Sequence, residues 1–304
     1  MLTKIKELQA KTILTKTALP GCDYVVNPYN GCQFACMYCY AAQIARWHHP
    51  GEQWGSFLDV KLNAPELLKK DLERLSRRDA LQCVSTDNKN FSTNKKNFGI
   101  IWFSSVTDPY TGLEAKYQLT RKCLQVLVDF GYEGQVALQT KSGLITRDID
   151  LFKQLKDVSI GFTVTTLDDK VSRFLEVEAP PVSARIEAIK KLNTQGIPTY
   201  AFIGPVLPHF VKSKKEINDL LDVLQSAGVN EVWFEHLHLV GQVKGRLMDY
   251  LKTTSPDLIP DFQRADNAQY REELEKVIYG CLVGRGLKLG LGKIIYHRDL
   301  PKTK

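Results

Sequence analysis

The sequence lacks several features that would assign a chain quickly, and each absence narrows the field. No run of about 18 apolar residues occurs, so nothing reads as a membrane-spanning helix. The first twenty residues interleave Lys4, Lys6, Lys11 and Lys16 with polar side chains and form no apolar signal core. No internal repeat and no low-complexity linker appears, which excludes a solenoid or a tethered array. Charge of one sign is also missing: 41 Lys and Arg against 34 Asp and Glu leave +7, which favours anionic partners but falls short of a nucleic-acid coat. The expected setting is therefore cytoplasmic and free of membrane. There, the seven cysteines are more suited to metal or reaction chemistry than to disulfides.

What is present is a regular alternation. Runs rich in β-branched and aromatic residues predict strands at Tyr24–Asn27, Gly99–Ser105, Gln135–Thr140, Ser159–Thr165, Thr199–Val206 and Glu231–Leu237. Most are continuously apolar, as in parallel strands buried on both faces. Apolar positions three and four apart predict helices at Ala64–Leu75, Leu113–Asp129, Asp148–Leu155, Val182–Thr194 and Lys214–Ser226. The fold class is α/β, either a partial barrel or an open parallel sheet. Both gather functional groups at the C-terminal ends of the strands. The polar segment Ser85–Asn97 reads as a surface insertion, and residues 241–304 as an appendage with a helix at Tyr270–Gly280 and a strand at Leu287–Tyr296.

Directly after the first predicted strand, Cys32, Cys36 and Cys39 form C-x3-C-x2-C. Soft thiolates so spaced suit zinc, copper(I) or an iron–sulfur cluster. No fourth cysteine stands nearby, so one coordination position is left without sulfur. In a [4Fe–4S] cluster that position is an open iron; with zinc, His48 or His49 would complete a Cys3His site, giving a zinc-stabilised nucleic-acid-binding protein.

Cys32-x3-Cys36-x2-Cys39, with Tyr38 and Tyr40 around the last cysteine, resembles the cluster loop of radical S-adenosylmethionine (SAM) enzymes. Asn27-Pro28-Tyr29-x-Gly31-Cys32 and Tyr38-Cys39-Tyr40-Ala41 are more narrowly similar to the spore photoproduct lyase-like, or DNA repair photolyase-like, family. The likeness continues at Lys61-x-Asn63-Ala64-Pro65-Glu66-Leu67, Thr107-Asp108-Pro109-Tyr110, Thr140-Lys141-Ser142, Arg147-Asp148 and Arg185-x2-Ala188.

The resemblance implies a partial (β/α)6 TIM-like barrel over residues 1–240, with its cluster loop at 27–41 and a C-terminal extension packed on it. It also implies a [4Fe–4S] cluster held by Cys32, Cys36 and Cys39, S-adenosyl-L-methionine at the open iron, reductive cleavage of SAM, and hydrogen abstraction from a substrate. A flavodoxin or ferredoxin would supply the electron. SAM contacts are expected from Ser105, Thr107 and Asp108 at the second strand, Lys141 at the third and Thr163 and Thr165 at the fourth, with Tyr38 and Tyr40 beside the cluster. Glu176 and Arg185 are lesser candidates, adequately explained as a helix-surface ion pair.

The chain departs from the photoproduct lyases at Ser105, where enzymes that repair thymine photoproducts in DNA carry a hydrogen-donating cysteine. An O–H bond is far too strong to replace a thiol in that role. A nucleic-acid substrate thus stays open while the photoproduct reaction itself is disfavoured.

Overall fold

A computed structural model describes residues 3–19, 21–45, 47–84, 99–211 and 213–296, with backbone alone for 78–84. The predicted insertion at 85–97 lies outside the described residues. The strands are β1 (Lys4–Leu8), β2 (Leu14–Lys16), β3 (Tyr24–Val26), β4 (Tyr29–Asn30), β5 (Phe57–Lys61), β6 (Ile100–Phe103), β7 (Gln135–Thr140), β8 (Asp157–Thr163), β9 (Thr199–Val206), β10 (Glu231–His236) and β11 (Lys288–Leu289). The N-terminal helices are α1 (Ala41–Ala45), α2 (Ala64–Val84), α3 (Glu114–Tyr117), α4 (Leu119–Phe130) and α5 (Ile149–Phe152). After them come α6 (Asp169–Leu175), α7 (Val182–Thr194), α8 (Lys214–Ser226), α9 (Gly241–Thr254), α10 (Ile259–Arg264) and α11 (Ala268–Leu282).

The main sheet runs β11-β10-β9-β8-β7-β6-β3-β2. All neighbours from β3 to β11 are parallel, and only β2 lies antiparallel on β3. The six predicted strands thus stand side by side in sequence order as a partial TIM-like barrel, with β3 and β10 unpaired to one another. Their apolar runs explain it: Val26, Ile101, Phe103, Val136, Leu138, Ile160, Phe162, Ala201, Ile203 and Val232 all enter one buried core with the inner faces of the helices. A second sheet, β1-β5-β4, packs beside the cysteine loop and was not predicted, because Lys4–Leu8 shows four exposed positions and has no apolar signature.

Two helix expectations and one strand expectation change. The Leu113–Asp129 helix is broken at Gln118, which takes a left-handed φ of 54° and ends α3 before α4 starts. Gly143–Asp148 forms a 3-10 turn before α5. In the appendage, the predicted strand Leu287–Tyr296 shrinks to β11, interrupted by a turn in which Leu291 has φ 57°; pairing resumes when Ile295 N–H donates to the Phe234 carbonyl at 2.8 Å. The appendage therefore extends the main sheet at its β10 edge.

Candidate functional site

The cysteine loop leaves β4 through Gly31, whose φ is +88° and whose absent Cβ would fall 2.6 Å from the Phe57 carbonyl oxygen. Only glycine fits a left-handed position that close to a neighbouring backbone. Ala35 also has positive φ, 52°, so the loop curls back twice before α1 begins. The result is a cleft of about 150 Å³ into which Cys32, Cys36 and Cys39 all face. The opposite wall consists of Ser104, Ser105, Thr107 and Asp108 after β6, Gln139, Thr140 and Lys141 at the end of β7, and Thr163 at the end of β8. A larger hollow of about 770 Å³ opens at the other ends of the strands, around Asp23, Gly99, Gln135 and Asp157, but it gathers no comparable set of reactive groups.

Burial, with smaller contributions from Asp108 and the neighbouring thiols, drives the Cys32 pKa far up. Burial likewise pushes Cys36 up to about 12, against the opposing pull of Lys141, and raises Cys39. In the protein alone these groups are thiols, and any metal binding must release their protons. Among the described residues no three His, Cys, Asp or Glu side chains converge closely enough to hold one metal ion. A single zinc needs four donors at about 2.0–2.3 Å. His49 is committed elsewhere, with Nε2 2.9 Å from Asp59 Oδ2 and its ring stacked on Phe57, and neither His48 nor His49 lines the cleft. Thiols spread around a cleft instead suit a cluster, in which each thiolate takes a different iron.

The other expected residues fall into two layers. Ser105, Thr107, Asp108, Lys141, Thr163 and Tyr40 line the cleft. Tyr40 is half exposed at its rim and donates its hydroxyl to the Ser105 carbonyl. Ser105 Oγ exchanges 3.3 Å hydrogen bonds with Asn27. Asp108 is buried and braces the strand tips: Oδ1 accepts from Thr140 Oγ1 at 2.6 Å and Tyr110 N at 2.8 Å, while Oδ2 accepts from Lys141 N at 2.9 Å. Burial raises its pKa against these bonds.

Thr165 and Tyr38 stand behind the wall, and both donate to Glu176. Lys141 Nζ sits 5.6 Å above the Tyr38 ring. Burial alone would lower the Lys141 pKa, but Cys36 and Glu176 outweigh it and raise it.

The surface reading of Glu176 and Arg185 is wrong. Arg185 is fully buried, and its guanidinium donates to Glu176 Oε2 at 2.5 Å, to the Thr163 carbonyl at 2.9 Å and to the Pro180 carbonyl at 2.8 Å. Burial would raise the Glu176 pKa; Arg185, then Lys141, and the bonds from Arg185 and Tyr38 hold it below the ordinary value.

Several motif residues serve the framework. Tyr29 donates to buried Glu114, Arg147 pairs with Glu114 Oε1 at 2.8 Å and Asp148 Oδ1 at 2.7 Å, and Tyr110 donates to Asp148 Oδ2 at 3.0 Å. This network ties β4 to the segments after β6 and β7.

Four contributors escaped the sequence reading. Ser104 holds φ at 64°, is 7% exposed and lines the cleft, and its buried hydroxyl has no hydrogen-bond partner. Strain of this kind collects at functional sites, but a Ser-Ser pair carries no signal of it. Trp54 also lines the cleft, and its buried indole nitrogen has no hydrogen-bond partner. Gln139 joins Thr163 and Tyr200, donating to Thr163 Oγ1 at 3.2 Å. Arg246 of α9 donates to the carbonyls of Cys36 at 3.0 Å and Met37 at 2.7 Å, fastening the appendage to the cysteine loop.

Against known proteins, the sequence pattern of the Radical SAM superfamily matches residues 26–224. An uncharacterized protein of Methanocaldococcus jannaschii is 32% identical over 259 residues, 84% of this chain and 85% of that one. A radical SAM Nalpha-GlyT isomerase of Pseudomonas phage M6 is 25% identical over 209 residues, 68% of this chain and 38% of the phage protein. In structure, a spore photoproduct lyase variant with bound AdoMet and dinucleoside spore photoproduct aligns with TM-score 0.66 at 13% identity, covering 94% of this chain and 81% of that one.

Proposed function

The chain belongs to the radical SAM superfamily, and on that premise we propose that Cys32, Cys36 and Cys39 hold a [4Fe–4S] cluster whose remaining iron takes S-adenosyl-L-methionine. The observation that carries this is the cleft itself: three buried or half-buried thiols, with no other described cysteine lining it, face the polar ends of β6, β7 and β8. When bound, the cluster supplies one electron that splits SAM into methionine and a 5′-deoxyadenosyl radical, which takes a hydrogen atom from the substrate.

The chain's own residues bind, orient and exclude water. Lys141, kept protonated beside Glu176, suits the SAM carboxylate, and the hydroxyls of Ser104, Thr107 and Thr163 suit its amino group or ribose. Asp108, with three protein donors already on its carboxylate, positions Lys141 and Thr140. Tyr38 and Thr165 act one layer back, through Glu176. Phe34, Ala41 and Trp102 give the cleft its apolar walls, which keep stray hydrogen donors from the radical. Tyr40, half exposed at the rim, suits contact with the substrate.

Residues 1–240 form the catalytic core in this reading and 241–304 its extension, with an external flavodoxin or ferredoxin as reductant in the cytoplasm. No helix among the described residues is long and apolar enough to cross a membrane.

A nucleic-acid substrate is the second reading, favoured by the net charge of +7 and by the fold neighbour that carries a dinucleoside photoproduct. Photoproduct repair is not the reaction proposed. Ser105 offers a hydroxyl bonded to Asn27, and Cys123, on α4, is sealed in the main core and cannot serve as the hydrogen donor in its place.

The test is anaerobic reconstitution with iron and sulfide analysis. Wild type should bind iron and sulfide in the ratio of a [4Fe–4S] cluster, and SAM should alter the electron paramagnetic resonance (EPR) spectrum of the reduced protein. Cys36→Ala should be colourless; a brown, fully loaded Cys36→Ala protein would mean the ligands are misassigned. A gel shift absent even at low salt would remove the nucleic-acid reading.

A further inference from the structure

Trp54 is 7% exposed, yet its indole Nε1 has no hydrogen-bond partner. Indole N–H is a donor only, and leaving one buried and unmet costs roughly 1–3 kcal/mol. Such a group in a native fold calls for an acceptor the protein does not itself provide.

Packing holds the ring on the cysteine loop. Gly55 follows it at φ +99°, and a Cβ there would lie 2.5 Å from the Ala35 Cβ, so the 54–55 turn rests directly on the cysteine loop. Phe57 meets the Trp54 ring edge-on at 6.0 Å and is pinned in turn by His49, 3.8 Å away in a stacked arrangement. Trp54 shares one buried group with Cys32, Phe34 and Cys36, and with them it lines the cleft.

We propose that Trp54 donates its indole N–H to a sulfur of the cluster or of the Cys32 or Cys36 thiolate that holds it. The inference rests on the cluster reading above. Reduction adds negative charge to the sulfurs, so a donor aimed at them stabilises the reduced state and raises the reduction potential. Trp54 is thus a tuning residue, setting how readily an external donor can charge the site.

The experiment uses the full chain labelled with 15N-indole tryptophan, reconstituted anaerobically and reduced by dithionite without SAM. Pulsed EPR of the wild type should show an indole nitrogen coupled to the cluster, present in Trp102→Phe and absent in Trp54→Phe. Trp54→Phe keeps an aromatic ring against Phe57, and its reduction equilibrium constant should fall about tenfold, ~59 mV to more negative potential for one electron. A wild-type cluster of full iron and sulfide content with no indole coupling overturns the inference while leaving the cluster reading intact. Coupling that appears only after SAM is added also overturns it, assigning the donor to SAM. Failure to assemble any cluster sinks both. If Trp54→Phe does not load, the coupling in Trp102→Phe decides: its persistence there supports the inference and its loss overturns it.

Discussion

Replacing Arg185 by methionine is the sharpest probe of how the site is supported. The substitution keeps an unbranched chain of similar reach but removes the cation that faces Glu176 in a fully buried pair. Glu176 retains the hydroxyls of Tyr38, Thr165 and Ser172, while the carbonyls of Thr163 and Pro180 lose their donor. Breaking one side of a buried pair costs about 3–5 kcal/mol, because the surviving charge stays desolvated. For 304 residues the unfolding entropy near 60 °C is about 0.64 kcal/mol/K, so the melting temperature should drop by about 5–8 °C.

The pH dependence gives the sign. In the wild type, Glu176 titrates below its unfolded value of about 4.3, so its stabilising contribution is complete above that pH and lost as pH falls through the lower folded pKa. Arg185→Met removes the strongest influence against burial and leaves only Lys141 and the hydroxyls, so the folded pKa rises past the unfolded one and protonation relieves the penalty as pH falls. The gap between the two proteins should therefore be widest near pH 7.5 and narrow towards pH 5. Adding Glu176→Leu should recover at least roughly half of the loss, since an apolar pair tolerates burial. Calorimetry on the cluster-free protein in reducing buffer reads all three. An identical gap at both pH values, or a double variant no more stable than the single one, refutes the electrostatic account.

Other expectations concern the loop and the strand tips. Gly55→Ala places a methyl against Ala35 at a left-handed φ, so the loop must shift, and iron bound per chain should fall several-fold while the far-ultraviolet circular dichroism stays unchanged. Arg246→Leu removes the donors to the Cys36 and Met37 carbonyls; alkylation of the three thiols in the cluster-free protein should accelerate, and cluster retention on dilution should weaken. Asp108→Asn puts an amide NH2 where one carboxylate oxygen now accepts, costing about 1–3 kcal/mol and raising the SAM dissociation constant about tenfold or more. Calorimetric titration of the reconstituted variant measures that last effect.

Much of this site was legible because cluster chemistry is local in sequence: three thiols in one short loop after a strand need no tertiary information to be noticed. The central strands were equally visible, since burial on both faces leaves continuous apolar runs such as that of Thr199–Val206, whose bounds match the expectation. What escaped depends on partners distant in sequence. Arg185 and Glu176 look like solvated helix residues until α7 and the end of α6 are packed together. Lys4–Leu8 becomes a strand only because β5 offers it a parallel edge. Arg246 reaches the cysteine loop from more than 200 residues away, which no spacing rule could reveal. Ser104 and Ser105 are indistinguishable in sequence, and only the backbone singles out Ser104 as the strained one.

The central claim is that three thiols around this cleft support reductive cleavage of SAM. Protein reconstituted anaerobically to full iron and sulfide content, reduced with dithionite and given SAM, should release 5′-deoxyadenosine and methionine in equal amounts, and Cys32→Ala, Cys36→Ala and Cys39→Ala should release neither. An intact cluster that yields no 5′-deoxyadenosine would contradict the account.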